Sequence, residues 1–232
     1  MEKETYIKVT DGGPYLVFGE VGAIQKIIVS DEEGASWNYE DGKKFAASEN
    51  PAALCRCGHS RNAPFCDGSH ERTEWDGQET ASFKPIKEEA EAFDGPNLTL
   101  WDNERYCAYA RFCDARGRIW NLVMEGTPEA DELCIREAAH CCAGRLMVET
   151  KDGQPLEPKL EKSIGVVEDP QLGCSGPLWV RGGIRVESAG GRSYEVRNRQ
   201  TLCRCGQSSN KPFCDGSHAS VMYNDGIGIS RE

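Results

Sequence analysis

The sequence predicts a strand-rich α+β protein in which two similar units enclose a small module of a different kind. Three observations predict it. A sixteen-residue loop is written twice, as CRCGHSRNAPFCDGSH from Cys55 to His70 and as CRCGQSSNKPFCDGSH from Cys203 to His218. A hairpin-like stretch before each loop also recurs, Gly13-Pro14-Tyr15-Leu16-Val17-Phe18-Gly19 returning as Gly176-Pro177-Leu178-Trp179-Val180-Arg181-Gly182. The residues between the copies match neither and carry cysteines of their own. The expected boundaries are 1–87, 88–173 and 174–232. Units this small cannot each build a core, so the two copies are expected to pack on one another as a pseudo-dimer within one chain.

Taken in order, Tyr6-Ile7-Lys8-Val9 alternates as a short strand and stops at Asp11-Gly12-Gly13. Pro14 to Phe18 and Ile24 to Val29 read as the next two strands. The hairpins are offset by 163 residues and the loops by 148, so the first copy holds 15 extra residues between them. Asp31 to Lys44, acidic and turn-rich, reads as that insertion. Trp75 and Tyr223 each lie five residues past the last histidine of a loop, which predicts an aromatic ring beside each. In the middle, Lys87 to Glu91 reads as a charged linker or short helix and Leu98 to Trp101 as a strand. Thr127-Pro128-Glu129 is a helix start, with Thr at the N-cap and Pro in the first turn. That helix runs towards His140 with Ala130, Leu133, Cys134 and Ala138 on one face, Gly144 stops it, and Leu146-Met147-Val148 resumes a strand.

Both loops space their donors as Cys-x-Cys-x8-Cys-x3-His: Cys55, Cys57, Cys66 and His70, then Cys203, Cys205, Cys214 and His218. Thiolates and imidazole hold iron–sulfur clusters and zinc. His59 becomes Gln207, so its imidazole is not read as a ligand. The repeated Pro, Asn, Ser and Asp-Gly-Ser residues suit a tight, hydrogen-bonded cage. Three Cys and one His also satisfy a closed mononuclear zinc site, and colour would separate the two.

These residues resemble the CDGSH, or NEET, iron–sulfur family, whose pattern is Cys-x-Cys-x2-Ser/Thr-x3-Pro-x-Cys-Asp-Gly-Ser/Ala/Thr-His. Both copies match it without a departure. The resemblance implies a 2Fe–2S cluster in each loop, with Cys55 and Cys57 on the inner iron and Cys66 and His70 on the outer one. In the second copy it implies Cys203 and Cys205 on the inner iron, Cys214 and His218 on the outer. It also implies intertwined β-strands, which single-motif members form between two chains and this tandem chain would form within one.

The middle stretch carries Cys107-x5-Cys113 and, further on, Cys141-Cys142-Ala143-Gly144. Ala110 stands where a cluster-binding ferredoxin has its middle Cys. The set resembles the divergent mono-cluster ferredoxins, which carry 3Fe–4S, or 4Fe–4S with an outside ligand. Their distant signature is Cys-Pro-Ser-Gly, and the Pro is missing here, leaving Cys142 as an alternative to Cys141. A degenerate module with small buried thiols and no metal is the competing reading. Cys134, seven helical residues and about 10 Å along the axis from Cys141, reads as a core thiol; Cys174 has no assigned place.

Twelve cysteines without a secretory leader fit metal-bound thiolates in a reducing cytoplasm better than disulfides. No apolar window is long enough to span a membrane. Residues 1–104 carry 10 basic and 21 acidic side chains and the remainder 17 of each. That balance argues against nucleic-acid binding, and an acidic face could steer a basic redox partner. No nucleophile–base pair or phosphate loop appears, so an enzyme acting alone is not expected. The expected role is electron transfer to a protein redox partner or cluster transfer to an apo acceptor, by a monomer with internal two-fold character. A structural or iron-sensing module, or a subunit of a larger oxidoreductase, is the alternative.

Overall fold

The computed structural model describes residues 4–228, and among these twelve strands build three sheets. The first unit supplies β1 (Tyr6–Val9), β2 (Tyr15–Phe18), β3 (Ala23–Ser30), β4 (Ser36–Phe45) and β5 (Ala52–Leu54). The middle region supplies β6 (Glu91–Asp94), β7 (Leu98–Asp102), α1 (Ile119–Glu125), α2 (Pro128–His140) and β8 (Leu146–Thr150). The second unit supplies β9 (Ser163–Asp169), β10 (Cys174–Arg181), β11 (Arg185–Glu187), β12 (Arg199–Leu202) and the short α3 (Ser217–Ser220).

The two units exchange a strand. One sheet runs β11-β1-β2-β5 and another runs β12-β10-β9-β3-β4. Each antiparallel hairpin, β1-β2 or β9-β10, pairs on one side with the strand that leads into its own cysteine loop. On its other side it pairs in parallel with the third strand of the opposite unit, Ile7 facing Val186 and Gln25 facing Val166. The chain is therefore a pseudo-dimer folded from one polypeptide. Successive side chains of a strand point to opposite faces, and the inward set from both sheets forms a single core that includes Ile7, Tyr15, Val17, Val166, Leu178 and Val186.

Two stretches differ from their sequence reading. The extra residues of the first copy turn at Asp31–Ala35 and then form β4, which carries Trp37, Tyr39 and Phe45 among exposed polar and charged residues. As the outer strand it presents Glu40, Lys43 and Lys44 to solvent, a charged edge that discourages pairing with other chains. The stretch 163–173, read with the middle module, supplies β9, which lies between β3 and β10. The charged residues 87–91 divide between a short 3-10 turn at Ile86–Glu89 and the start of β6.

The middle module is an antiparallel sheet, β6-β7-β8, covered by α1 and α2. Thr127 caps α2 by accepting the Ala130 amide at 3.2 Å, with Pro128 in the first turn. Leu98, Leu100, Ile119, Leu122, Val123, Ala130, Cys134 and Val148 form its core. Glu137 of α2 is 1% exposed and accepts the Arg116 amide at 2.9 Å, while its other oxygen has no partner among the described residues. Burial pushes its carboxyl up to about 7. Between the ordinary 4.5 and about 7 the folded state therefore binds more protons than the unfolded one, and stability falls as pH rises through that window. Glu137→Gln should then stabilise the protein at pH 8, by about 2 kcal/mol after allowance for partial screening. Urea unfolding at pH 5 and pH 8 checks this, and a gain no larger at pH 8 than at pH 5 would refute it.

Candidate metal centre

The two loops are built alike from the backbone outward. β5 and β12 each end at the first cysteine, whose amide donates to the loop proline carbonyl: Cys55 to Pro64 at 2.8 Å, Cys203 to Pro212 at 2.8 Å. The third cysteine donates back to the strand, Cys66 to Ala53 at 2.8 Å and Cys214 to Thr201 at 2.9 Å. Ser60 and Ser208 brace the inside of each loop by donating to the Phe65 and Phe213 carbonyls at 2.6 and 2.7 Å. Asp67 accepts the amides of Arg61 and Ser69, and Asp215 those of Ser209 and Ser217. Those donors hold the Asp67 carboxyl down at about 2. Gly68 (φ 78°) and Gly216 (φ 88°) take the left-handed turn between this Asp and the histidine.

The donors meet in pairs. Sγ of Cys55 lies 3.8 Å from Sγ of Cys57, and the Cys203–Cys205 pair has the same 3.8 Å spacing. Cys66 Sγ lies 3.3 Å from His70 Nδ1, and Cys214 Sγ 3.4 Å from His218 Nδ1. A tetrahedral metal with sulfur ligands at about 2.3 Å and nitrogen ligands at about 2.0–2.1 Å separates neighbouring donors by about 3.5–3.8 Å. The cysteine pairs match such an edge at 3.8 Å, and the Cys–His pairs, at 3.3 and 3.4 Å, fall slightly short of it. Among the described residues no three donors converge on one ion position. Within each cysteine pair one thiol helps the other to ionise, bringing Cys55 down to about 6 and Cys203 to about 7, while that shared proton, and then burial, pushes Cys57 and Cys205 up. Burial also raises Cys66 and Cys214. His59 is exposed.

The model of the iron-binding zinc finger of CDGSH type matches residues 12–71 and again 175–219. The chain carries two copies of the CDGSH domain. The searches of curated proteins and of solved structures return no match. The stretch between the matched segments lies outside the family model.

The two CDGSH loops touch back to back. Gly58 (φ 82°) presses against the Cys205 backbone and Gly206 (φ 77°) against the Cys57 backbone, so closely that a Cβ on either would collide with the carbonyl opposite. Tyr15 of the first unit donates to the Cys203 and Pro212 carbonyls at 2.8 and 2.9 Å, fixing the second loop from across the pseudo-dimer. Arg56 and Arg204, each between the first two cysteines, are both buried. The CRC triplet was visible twice in the sequence, yet its arginine carries no metal-ligand chemistry and drew no role. The aromatic rings expected beside the loops are present, Trp75 against Arg56 and Tyr223 among Cys203 and Cys205.

The surroundings of the CDGSH loops differ. Cys66 and His70 are half-buried, and Glu71 lies 3.9 Å from His70 Nε2. Cys214 and His218 are buried beneath the middle module, where Cys107 and Tyr109 press on Gly216 and where Ala108, Phe112 and Cys142 pack with Cys214. Burial, reinforced by the Arg204 charge, lowers His218 to about 4.

The middle module brings Cys107, Cys113 and Cys141 to the wall of one small pocket, together with Ala110, Cys142 and Arg145. Two residues of the cysteine loop, Tyr109 (φ 53°) and Arg111 (φ 62°), hold left-handed conformations that side chains disfavour. Arg111 is anchored to Asp169 of β9 by two hydrogen bonds at 2.5 and 3.2 Å. Burial, then the neighbouring Cys141, pushes Cys113 up to about 12, and burial raises Cys107 against the pull of Arg145. Despite its own burial, the Arg145 guanidinium is held charged by Cys107, Asp102, Cys141 and Cys113. Cys142 is turned towards Tyr39, and Cys134 and Cys174 are buried elsewhere. Among the described residues no helix is long and apolar enough to cross a membrane.

Proposed function

We propose that each CDGSH loop holds a 2Fe–2S cluster and that the chain works as a one-electron carrier. The observation that supports this most is the pairing of donors. A single zinc ion needs four ligands around one point, whereas each loop offers Cys–Cys and Cys–His pairs at separate edges. Two irons bridged by sulfide take such pairs, and when bound the cluster gains or loses one electron. Cys55, Cys57, Cys66 and His70 are the ligands in the first loop, and Cys203, Cys205, Cys214 and His218 in the second. The Gly68 and Gly216 amides donate to the third cysteine's sulfur at 3.5 and 3.4 Å, a contact that steadies its charge. Arg56, between Cys55 and Cys57 in the chain, is a buried cation without an ion-pair partner among the described residues, and a negative charge in this loop would offset it.

The proposal extends to a third cluster, held by Cys107, Cys113 and Cys141 around the cavity that Arg145 faces. With Ala110 in place of a fourth thiol, the form expected is 3Fe–4S, or 4Fe–4S with an outside ligand. Cluster donation to an apo acceptor is the second reading, favoured for the first loop alone by its half-exposed Cys66 and His70. No catalytic group is assigned, and the partner is a protein, which the acidic first part of the chain would attract through a basic surface.

Anaerobic purification followed by iron and sulfide counts, visible absorbance and paramagnetic resonance tests both parts. The twin loops should contribute about four iron and four sulfide. A 3Fe–4S centre should give a signal in the oxidised protein, where 2Fe–2S centres are silent, and Cys113→Ser should abolish it while leaving the other iron in place. Stoichiometric zinc without colour would overturn the central reading. Iron confined to the loops would leave the module as a spacer.

A further inference from the structure

The CDGSH loops share their ligands but not the charge beside them. Arg56 and Arg204 occupy equivalent places and are 2% and 1% exposed. Each donates to the first glycine of its copy of the repeated hairpin stretch, Arg56 to Gly13 O at 3.3 Å and Arg204 to Gly176 O at 2.9 Å. Each lies beside the aromatic ring that follows the ligand histidine, Trp75 at 5.2 Å and Tyr223 at 5.7 Å. Two residues past that ring the copies part. Gly77 offers Arg56 a carbonyl oxygen, whereas its counterpart Asp225 offers Arg204 a carboxylate. Arg204 also pairs with Glu168 of β9 at 2.9 Å, and the side chains of Asp225 and Glu168 are buried.

Among the described residues Arg56 forms no ion pair; it donates to the carbonyls of Thr10, Gly13 and Gly77. Glu79, which lies nearby, is occupied by the Tyr194 hydroxyl and the Ala189 amide at 2.8 Å each. Lys211 adds a second cation beside the second loop, with Nζ donating to Ser208 O at 2.6 Å. Both buried carboxylates of the second loop pair with Arg204, and with Lys211 the buried charges there sum to zero; beside the first loop Arg56 is the one buried charge among the described residues, the Glu71 carboxylate near His70 being exposed. An added electron is a negative charge, and in a low-dielectric interior an uncompensated cation favours it far more than a paired one.

We propose that the exchange of Gly77 for Asp225 sets the two centres at different potentials, with the first loop the easier to reduce. This rests on the 2Fe–2S reading. One electron supplied by an external one-electron reductant then settles on the first loop: the second centre, if reduced, is oxidised as the first is reduced, with no bond made or broken. The electron is thereby held at the half-exposed loop, where a partner protein can reach it. Asp225 is a positioning residue, acting through Arg204 rather than on the metal.

The full chain, purified anaerobically, is titrated with dithionite against redox mediators while the reduced-cluster resonance is followed. Two one-electron waves are expected, separated by at least tenfold in equilibrium constant, which is 59 mV. Mutual repulsion splits even identical sites, so a variant decides the matter. Asp225→Asn should raise the lower wave by about tenfold and leave the upper one in place, and Glu168→Gln should move the same wave in the same direction should Asp225→Asn not fold. Arg56→Gln should lower the upper wave. Coincident waves in the wild type, or a separation unchanged by the Asp225 and Glu168 variants, overturns the proposal. Protein without iron and sulfide overturns instead the two-cluster reading on which it stands.

Discussion

Acidification of the anaerobic, oxidised protein should bleach it in two steps, the first loop emptying well before the second. A histidine that binds metal through Nδ1 must be unprotonated there, so protons compete with iron for the same nitrogen. His70 is within reach of solvent, with the exposed Glu71 carboxylate 3.9 Å from its Nε2. His218 is 4% exposed, covered by the middle module, and held at about 4 by burial and by Arg204. Since its proton affinity in the fold lies below that of an ordinary imidazole, competition at the second loop sets in only as pH approaches 4. Near pH 5 the two phases should differ in rate by about tenfold or more, from the lowered proton affinity alone. His70→Cys should remove the fast phase and spare the slow one. Visible absorbance after an anaerobic pH jump reads this directly, and a single phase carrying the whole amplitude would sink it.

Arg199→Met should destabilise the fold by about 3–5 kcal/mol, the range for breaking a buried charged pair. Arg199 is 2% exposed at the start of β12, and one guanidinium serves four groups of the middle region. It donates to the carbonyls of Ala138, Cys141 and Leu146 and pairs with Glu157. Ala138 lies in the last turn of α2, where carbonyls lack helical partners. Ala138 O and Cys141 O also accept the Cys141 and Gly144 amides at 3.0 and 2.9 Å, so losing Arg199 removes their second hydrogen bond, leaves Glu157 without its partner and loosens the turn that carries Cys141. The lower end of the range is expected because Glu157 is partly exposed and so partly screened. Arg199→Lys should recover only part of the loss, since an ammonium lacks the planar fork that spans these oxygens. Urea unfolding decides it, and a loss under about 1 kcal/mol for the Met variant would remove Arg199 as the clamp.

What the sequence made legible was local. Each CDGSH loop is a short run in which ligands, turn glycine and bracing Ser and Asp follow one another, so spacing alone displays the cage. The α2 start was legible for the same reason, Thr127 and Pro128 being adjacent signals. The exchange of β3 and β11 between units is written nowhere locally, because parallel pairing of distant strands depends on register between residues far apart in the chain. β4 was hidden by its own chemistry: an edge strand facing solvent carries the charges that also mark a turn-rich insertion. The difference between Gly77 and Asp225 lies outside the sixteen-residue repeat; they keep its 148-residue offset, but only their common approach to an arginine shows that the exchange bears on a buried charge. Arg145 could not be placed from sequence, since nothing in the spacing of the middle cysteines says which cation their cavity will face.

The strand exchange also governs the order in which the molecule can be made. A chain that emerges amino end first presents β1, β2 and β3 long before β9 and β11 exist to lie beside them, because Ile7 must wait for Val186 and Gln25 for Val166. Pairings between such distant segments are slow to form, as the loop between them must close before any contact rewards it. The middle module has no such wait, since its three strands and two helices lie within residues 91–150 and pair only among themselves. During synthesis the centre of the chain is thus the first part able to fold, and it forms while the early hairpin still shows its apolar face. The two cysteine loops come together last, so iron and sulfide delivered to the first loop arrive at a half-built site until the second has left the ribosome.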